Sequence, residues 1–600
     1  MRSHPPDMSR NDPRGRRIRR SPAPWRAGRC VLCGIGLLVG WLLLAKGPSA
    51  RAEPQDGNAA AEPQAGAEQQ ARQTLARIVR ELAEAEATER PWAPLQRGDF
   101  ALGRRVLNGP PTTVAAWTES LANLQSRLRR VDKVALSPLE RAQAASLSSW
   151  IRATRTLEES QARRRTNPLA VTREVERVLL SLLASESLSI EERLKLGEVF
   201  LDRLPARWAA AQESLTTPVR VWSLEAVDEL QVVERLLLGE LRDATHAARL
   251  GERATLRIEQ KLDAAAEATR AFGAWLEGDP STTGRPPLRI GRRSLEVALG
   301  ALTGNERSLN ELRTDLLDVL ARNDHGRWSE EEARPSVAAA PREIFAAMRI
   351  GLQAGRQLFV SESLGGTAPD VRVGQFPGGA SPSDVVRLVP GPDGAYVLSV
   401  EAPDPTWPGG LIRGLAGVAD ALTMQAEGLR RGPSGEALLR SRHAALSEEL
   451  RMPFLLEPFE AGFGLYTVEA ATRFTLGRDH PARANLERGG ARLRLLEAAR
   501  LLAVLEIHAE GLTPGEVLDA FRMRTGVSLD VARVEVDRAW HEPLRGAAIL
   551  GYLEFRALED ELAERMEAPL AARRTIALAL AAPGVRPLDL LSEVDAALPR

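Results

Sequence analysis

Apolar residues in this chain recur at a spacing that suits helices and not strands. Leu75, Ile78, Val79 and Leu82 fall on one face of a 3.6-residue turn, and Leu230, Val233, Leu237 and Leu241 repeat the pattern downstream. Start signals agree. Ser189-Ile190-Glu191-Glu192 has capping-box spacing, in which the serine accepts the third helical N–H and the glutamate reaches back. Thr513-Pro514-Gly515-Glu516 repeats it with proline in the first turn, and Gly526 suits the left-handed residue that ends the same helix. The expected fold is all-α. One stretch departs from it. Residues 358–410 are rich in Gly, Pro and β-branched residues, and Val385–Val389 and Ala395–Val400 flank Pro390-Gly-Pro-Asp-Gly394. That pattern predicts a β-hairpin, hence a small sheet around 380–402.

The N-terminus sets the compartment. Nine arginines lie from Arg2 to Arg29, an apolar run spans Val31 to Ala45, and Ala50-Arg51-Ala52 offers a small-x-small cleavage signal. This order is that of a secretory signal peptide over 1–52. The apolar run would cross only about 22 Å at ~1.5 Å per residue, short of a ~30 Å hydrocarbon core. The expected localisation is periplasmic or secreted, the alternative an uncleaved inner-membrane anchor with the body outside the cytoplasm. Both cysteines, Cys30 and Cys33, fall in this segment, so a cleaved chain would have no disulfide or thiolate ligand. Residues 53–70, rich in Ala, Gln, Glu, Gly and Pro, read as a disordered linker. Residues 71–600 form the body, either one domain or two subdomains split near the Gly/Pro-rich segment 277–287.

The formal charge is zero, but residues 1–52 hold eleven Lys/Arg and two Asp/Glu, leaving 69 and 78 and a body charge of −9. A negative body argues against nucleic acid, whose phosphates demand a basic surface. The chain has no Gly-x-x-x-x-Gly-Lys-Ser/Thr loop and no Gly-x-Ser-x-Gly elbow. Its seven histidines include no pair at the i,i+4 spacing of metal ligands.

Several segments together resemble the bacterial family catalogued as domain of unknown function 885, mostly exported proteins related in fold to helical zinc metallopeptidases. They are Phe200-Leu-Asp-Arg-Leu-Pro-Ala-Arg-Trp208 with Pro218-Val-Arg-Val-Trp222, Pro287-Leu-Arg-Ile-Gly291, Ile507-His-Ala-Glu-Gly-Leu-Thr513, and Glu535-Val-Asp-Arg538 with Pro543. The resemblance spans residues 70–600 and implies a helical, zincin-like body with a deep cleft. It also implies a zinc site built from a His-Glu-x-x-x-Gly-His run and a Glu-Gly-Trp-Ala-Leu-Tyr-Ala-Glu helix. Here the first segment reads Ala416-Gly-Val-Ala-Asp-Ala-Leu-Thr-Met-Gln425, without histidine and with Asp420 as its sole weak donor. The second, Pro458-Phe-Glu-Ala-Gly-Phe-Gly-Leu-Tyr-Thr-Val-Glu469, has Ala461 at the ligand position. Glu460 would point about 100° away around a helix. The tyrosine that the family places after the proline is also replaced, by Ala548 and Ile549 in that region.

The family-equivalent positions that survive are Gln425, Tyr466, His508, Asp537 and Arg538. Each also has a structural reading: a core aromatic for Tyr466, a buried hydrogen bond for His508, helix-end ion pairs for Asp537 and Arg538. A site rebuilt from His443, Glu460 and His508 has nothing specific in its favour. The expectation is an exported, non-catalytic relative that needs no cofactor. It would bind a peptide or protein partner in the cell envelope and meet the membrane only through an uncleaved N-terminal segment. The alternative is an active metal-dependent hydrolase with displaced ligands, which would hold zinc.

Overall fold

A computed structural model describes residues 61–594 except 110–113, 162, 279–288, 304–306, 334–340, 363, 365–366, 376–385, 401–419, 446–456, 478, 566–576, 579–580 and 582–584. The signal-peptide segment and residues 53–60 therefore lie outside the described residues. Helix α1 (Ala61–Glu89) starts within the segment expected to be a linker, whose Ala, Glu and Gln residues are good helix formers. α2 (Trp92–Arg97), α3 (Phe100–Asn108), α4 (Val114–Arg129) and α5 (Pro138–Gln161) follow. α6 (Leu169–Ala184), α7 (Ile190–Ser214), α8 (Arg220–Arg235) and α9 (Glu252–Gly278) form a second group. α9 ends at Gly278, where the Gly/Pro-rich break begins. α10 (Arg292–Thr303), α11 (Leu309–Arg322) and α12 (Pro341–Ser361) lead into the sheet.

The hairpin is present. β2 (Val386–Pro390) and β3 (Tyr396–Val400) pair antiparallel with Pro390 opposite Tyr396, one residue later in β2 than expected. The loop turns through left-handed Asp393 and Gly394, residue types that tolerate positive φ. An unforeseen strand, β1 (Val371–Gln375), pairs parallel with β3, giving the order β1-β3-β2. The body then continues through α13 (Ala421–Arg431), α14 (Glu436–Ala445), α15 (Glu457–Ala470), α16 (Arg483–Leu505), α17 (Pro514–Thr525), α18 (Leu529–His541), α19 (Ala548–Arg565) and α20 (Pro587–Val594).

Three apolar clusters carry most of the core. Leu82, Trp117, Leu121 and Leu147 join α1, α4 and α5. Leu179, Phe200, Leu204, Leu237 and Phe272 join α6 to α9. The third is the largest and surrounds α16, which is buried on every side from Gly489 to Leu505 apart from Arg500. A helix buried all round must satisfy its charges internally. Arg492 does so by donating to the Gly326 carbonyl at 3.1 Å and to Glu332 at 2.6 Å. It also pairs with Asp420 at 2.9 Å and lies over the Trp328 ring. Burial works to raise Glu332, but the Ser329 amide and Arg492 outweigh it and hold the carboxyl at about 2.

Candidate functional site

The two helices that would bracket a metal in the family arrangement are α13 and α15, and they pack directly on each other. At Gly464 of α15 a β-carbon would lie 2.6 Å from Arg430 Cγ and 2.7 Å from the Arg430 carbonyl. On its other side α15 crosses α19 glycine to glycine. A β-carbon on Gly462 would lie 2.5 Å from the Gly551 backbone, and one on Gly551 would lie 2.4 Å from the Pro458 carbonyl. Only glycine allows backbones this close, so α15 is wedged between its neighbours. Ala461 packs against the apolar core from its edge. Asp420, the weak donor of the first segment, caps α13 instead: it accepts the Leu422 and Thr423 amides at 2.9 and 3.0 Å while paired with Arg492.

Polar groups line α15 along its length. At its start, buried Glu460 acts electrostatically on Tyr396 of β3 together with Arg440 of α14. Burial pushes the Tyr396 hydroxyl up, and Glu460 adds to the effect. Near the middle, the Tyr466 hydroxyl donates to Glu559 at 2.6 Å, with its ring stacked on Phe555. At the end, Glu469 accepts from the Tyr552 hydroxyl, from Arg556 at 2.7 Å and from Arg473 at 2.6 Å. Burial alone would raise Glu469, but Arg494, Arg556 and Arg473 hold it below the usual carboxylate range. This Glu469–Tyr552–Arg556 set was missed in the sequence. The available signal was scarcity: the chain has three tyrosines, Tyr396, Tyr466 and Tyr552, and all three meet groups on α15 or lie within it.

The five family-equivalent positions fall into two sets. Gln425 and Tyr466 sit on the packed pair α13 and α15, both buried, and the Gln425 side-chain nitrogen makes no hydrogen bond. His508, Asp537 and Arg538 gather near the C-terminal end of α16. His508 lies on a π-helical turn, Glu506–Glu510, that turns it inward. Its Nδ1 accepts from the Ile290 amide at 3.4 Å and its Nε2 lies 3.2 Å from the Ala539 carbonyl, to which it donates. Both ring nitrogens are therefore engaged, and burial lowers the imidazole to about 4. Arg538 is buried, with Arg545, Glu542 and Glu535 around it, and burial lowers it to about 10. Asp537, the next residue around the helix, keeps surface in solvent, but burial of its carboxyl raises it above the ordinary value against the pull of Arg533. Among the described residues, no three His, Cys, Asp or Glu side chains come together in a metal-holding group. No described helix is long and apolar enough to cross a membrane.

The architecture places the chain among mainly helical proteins with a small mixed sheet. It is similar to a solved structure from Colwellia psychrerythraea, described as a candidate lipoprotein. That likeness has a TM-score of 0.65 at 13% identity and covers 88% of this chain and 99% of the other. It is also similar to a candidate lipoprotein of unknown function from Shewanella oneidensis, with a TM-score of 0.56 at 12% identity, covering 84% and 98%. At these identities the likeness is one of fold. No protein-family model and no curated protein matches the chain. The resemblance to domain of unknown function 885 thus rests on its own segments.

Proposed function

We propose that this chain is an exported, non-catalytic relative of the helical metallopeptidase-like proteins of domain of unknown function 885, and that it binds a peptide or protein partner in the cell envelope. The observation that carries the reading is the closure of α15. Its ligand position is Ala461, the helices on both sides meet it at backbone contact, and Glu469 further along already accepts three donors. A catalytic zinc needs three protein donors and an open position, where its bound water becomes the nucleophile. Three donors already occupy most of the acceptor capacity of Glu469, so recruiting it to an ion would mean breaking these bonds. Export is supported by the basic, apolar and small-x-small order of the N-terminus. The description of both structural neighbours as candidate lipoproteins agrees with it. Asp537 is the family-equivalent position that keeps surface in solvent, and on this reading it would contact a ligand, although burial of its carboxyl raises it above the ordinary aspartate value. The test is hydrolysis of a mixed peptide pool by the purified chain with added zinc. Cleavage no higher than the protein-free control is expected; turnover that a chelator abolishes and zinc restores would sink the reading.

A further inference from the structure

Helix α6 lies where the α6–α9 group meets the C-terminal body, and charges build that joint. Arg173 donates to Glu229 at 2.8 Å and to Glu225 at 3.1 Å, both on α8. Its third nitrogen donates to His541 at the end of α18 and, at 2.9 Å, to Glu542 just beyond. The Thr172 hydroxyl adds a bond to Glu229 at 3.0 Å, and the Trp222 ring meets His541 edge-on. Toward the sheet, Val389 of β2 and Val397 of β3 join the apolar cluster of this helical group. Arg387 of β2 acts electrostatically on Glu176 of α6.

Glu176 is the unusual member. It follows Arg173 by one turn and is 2% exposed, and its Oε1 makes no hydrogen bond. A buried carboxylate left in that condition is costly, whereas the neutral acid is tolerable. The charges that face it are Glu229 of α8, Arg387 of β2, and Arg173 and Arg177 of α6. Behind them stand Glu225 of α8, Arg538 and His541 of α18, and Glu542 and Arg545 after it. Other charges on these elements are engaged away from the joint: Glu174 with Arg207, Glu234 with Arg270, and Glu535 with Arg500. Burial first and Glu229 second raise Glu176, against the three arginines, to about 7. Glu225 moves in the same direction, but 36% of its side-chain surface stays in water, which weakens its response.

We propose that the joint of α6 and α8 with β2 and α18 is a proton-operated latch, closed while Glu176 carries its proton and loosened when that proton leaves. The sign follows from linkage. A carboxyl harder to ionise when buried stabilises the closed joint at low pH and opposes it as pH rises through its folded value. Ionised Glu176 would repel Glu229, the same carboxylate that orients Arg173 toward α18. The latch is independent of whether the chain binds a peptide.

Hydrogen exchange of the full chain, corrected for intrinsic rates, tests it between about pH 5 and 8.5, a range that spans the titration and the plateau above it. The expected result is exchange in α6 and α18 that accelerates by up to about tenfold per pH unit between the carboxyl's ordinary 4.5 and its folded value of about 7 and then levels off, as one proton held by the closed joint alone requires. α16 serves as the unchanged reference. Glu176→Gln, a neutral isostere of the protonated acid, is expected to remain protected and lose the dependence. Flat wild-type profiles in α6 and α18 would overturn the latch and need no variant. An unaltered pH dependence in Glu176→Gln would overturn the assignment to Glu176.

Discussion

His508 is held neutral by two backbone partners and a buried setting, and this has a measurable consequence. Its folded value of about 4 lies below its ordinary 6.5. The unfolded chain therefore binds a proton over that interval and the folded chain does not, so stability is complete above 6.5 and falls as pH drops toward 4. The full difference corresponds to roughly 3 kcal/mol, and urea unfolding midpoints at pH 7 and pH 4.5 should show it for the wild type. His508→Ala is expected to lower stability by about 2–4 kcal/mol, through a cavity and two stranded backbone groups, and to remove that part of the pH slope. A slope unchanged in the variant would show that other groups set it. The structural role of His508 was legible because the residue sits among apolar neighbours just before a helix cap. The reuse of Asp420 as an N-cap and of Glu469 as an acceptor for Tyr552 was not. The Glu469–Tyr552 pair depends on which helix faces which, and linear spacing does not encode that; the Asp420 cap is local, but the likeness of its segment to a metal motif masked it.

At the scale of elements, the glycine crossing of α15 and α19 sets the geometry of the whole site. Gly462→Ala is expected to cost about 1–3 kcal/mol or more, because the added carbon would meet backbone that cannot retreat alone. Gly515→Ala in the first turn of α17 meets nothing within 4 Å and is expected to gain a few tenths of a kcal/mol up to about 1. Thermal melts of the two variants separate the effects; equal shifts would refute the crossing. Thr513→Ala should lose about 1 kcal/mol, since its hydroxyl accepts the Glu516 amide in a complete capping box. The caps at Ser189 and Thr513 and the left-handed Gly526 were readable from sequence because their chemistry is local. The π-helical turns at Leu236–Leu241, Ala471–Thr475 and Glu506–Glu510 were not, because one extra residue per turn leaves no compositional mark. The parallel pairing of β1 was hidden for a related reason: its partner is chosen across the chain, whereas a hairpin partner is chosen by the turn.

Across the whole molecule, the described helices build a body around the buried helix α16, and on the proposed reading the segments that resemble metal motifs lack donors while the packing around them is kept. An empty donor set can drift, but a core cannot lose its apolar spacing without losing stability. If the N-terminal segment directs export, a periplasm-dependent reporter fused after the full chain is expected to be active, and deleting residues 1–52 should abolish that activity. Activity retained after the deletion would contradict export by this segment. The most direct test of the central claim is the zinc content of the chain, purified without chelator or added metal and measured by mass spectrometry of the metal. The account predicts well below one equivalent per chain, unchanged in Glu460→Ala. Close to one equivalent, lost on replacing Glu460 or His443, would contradict it and establish a working metal site.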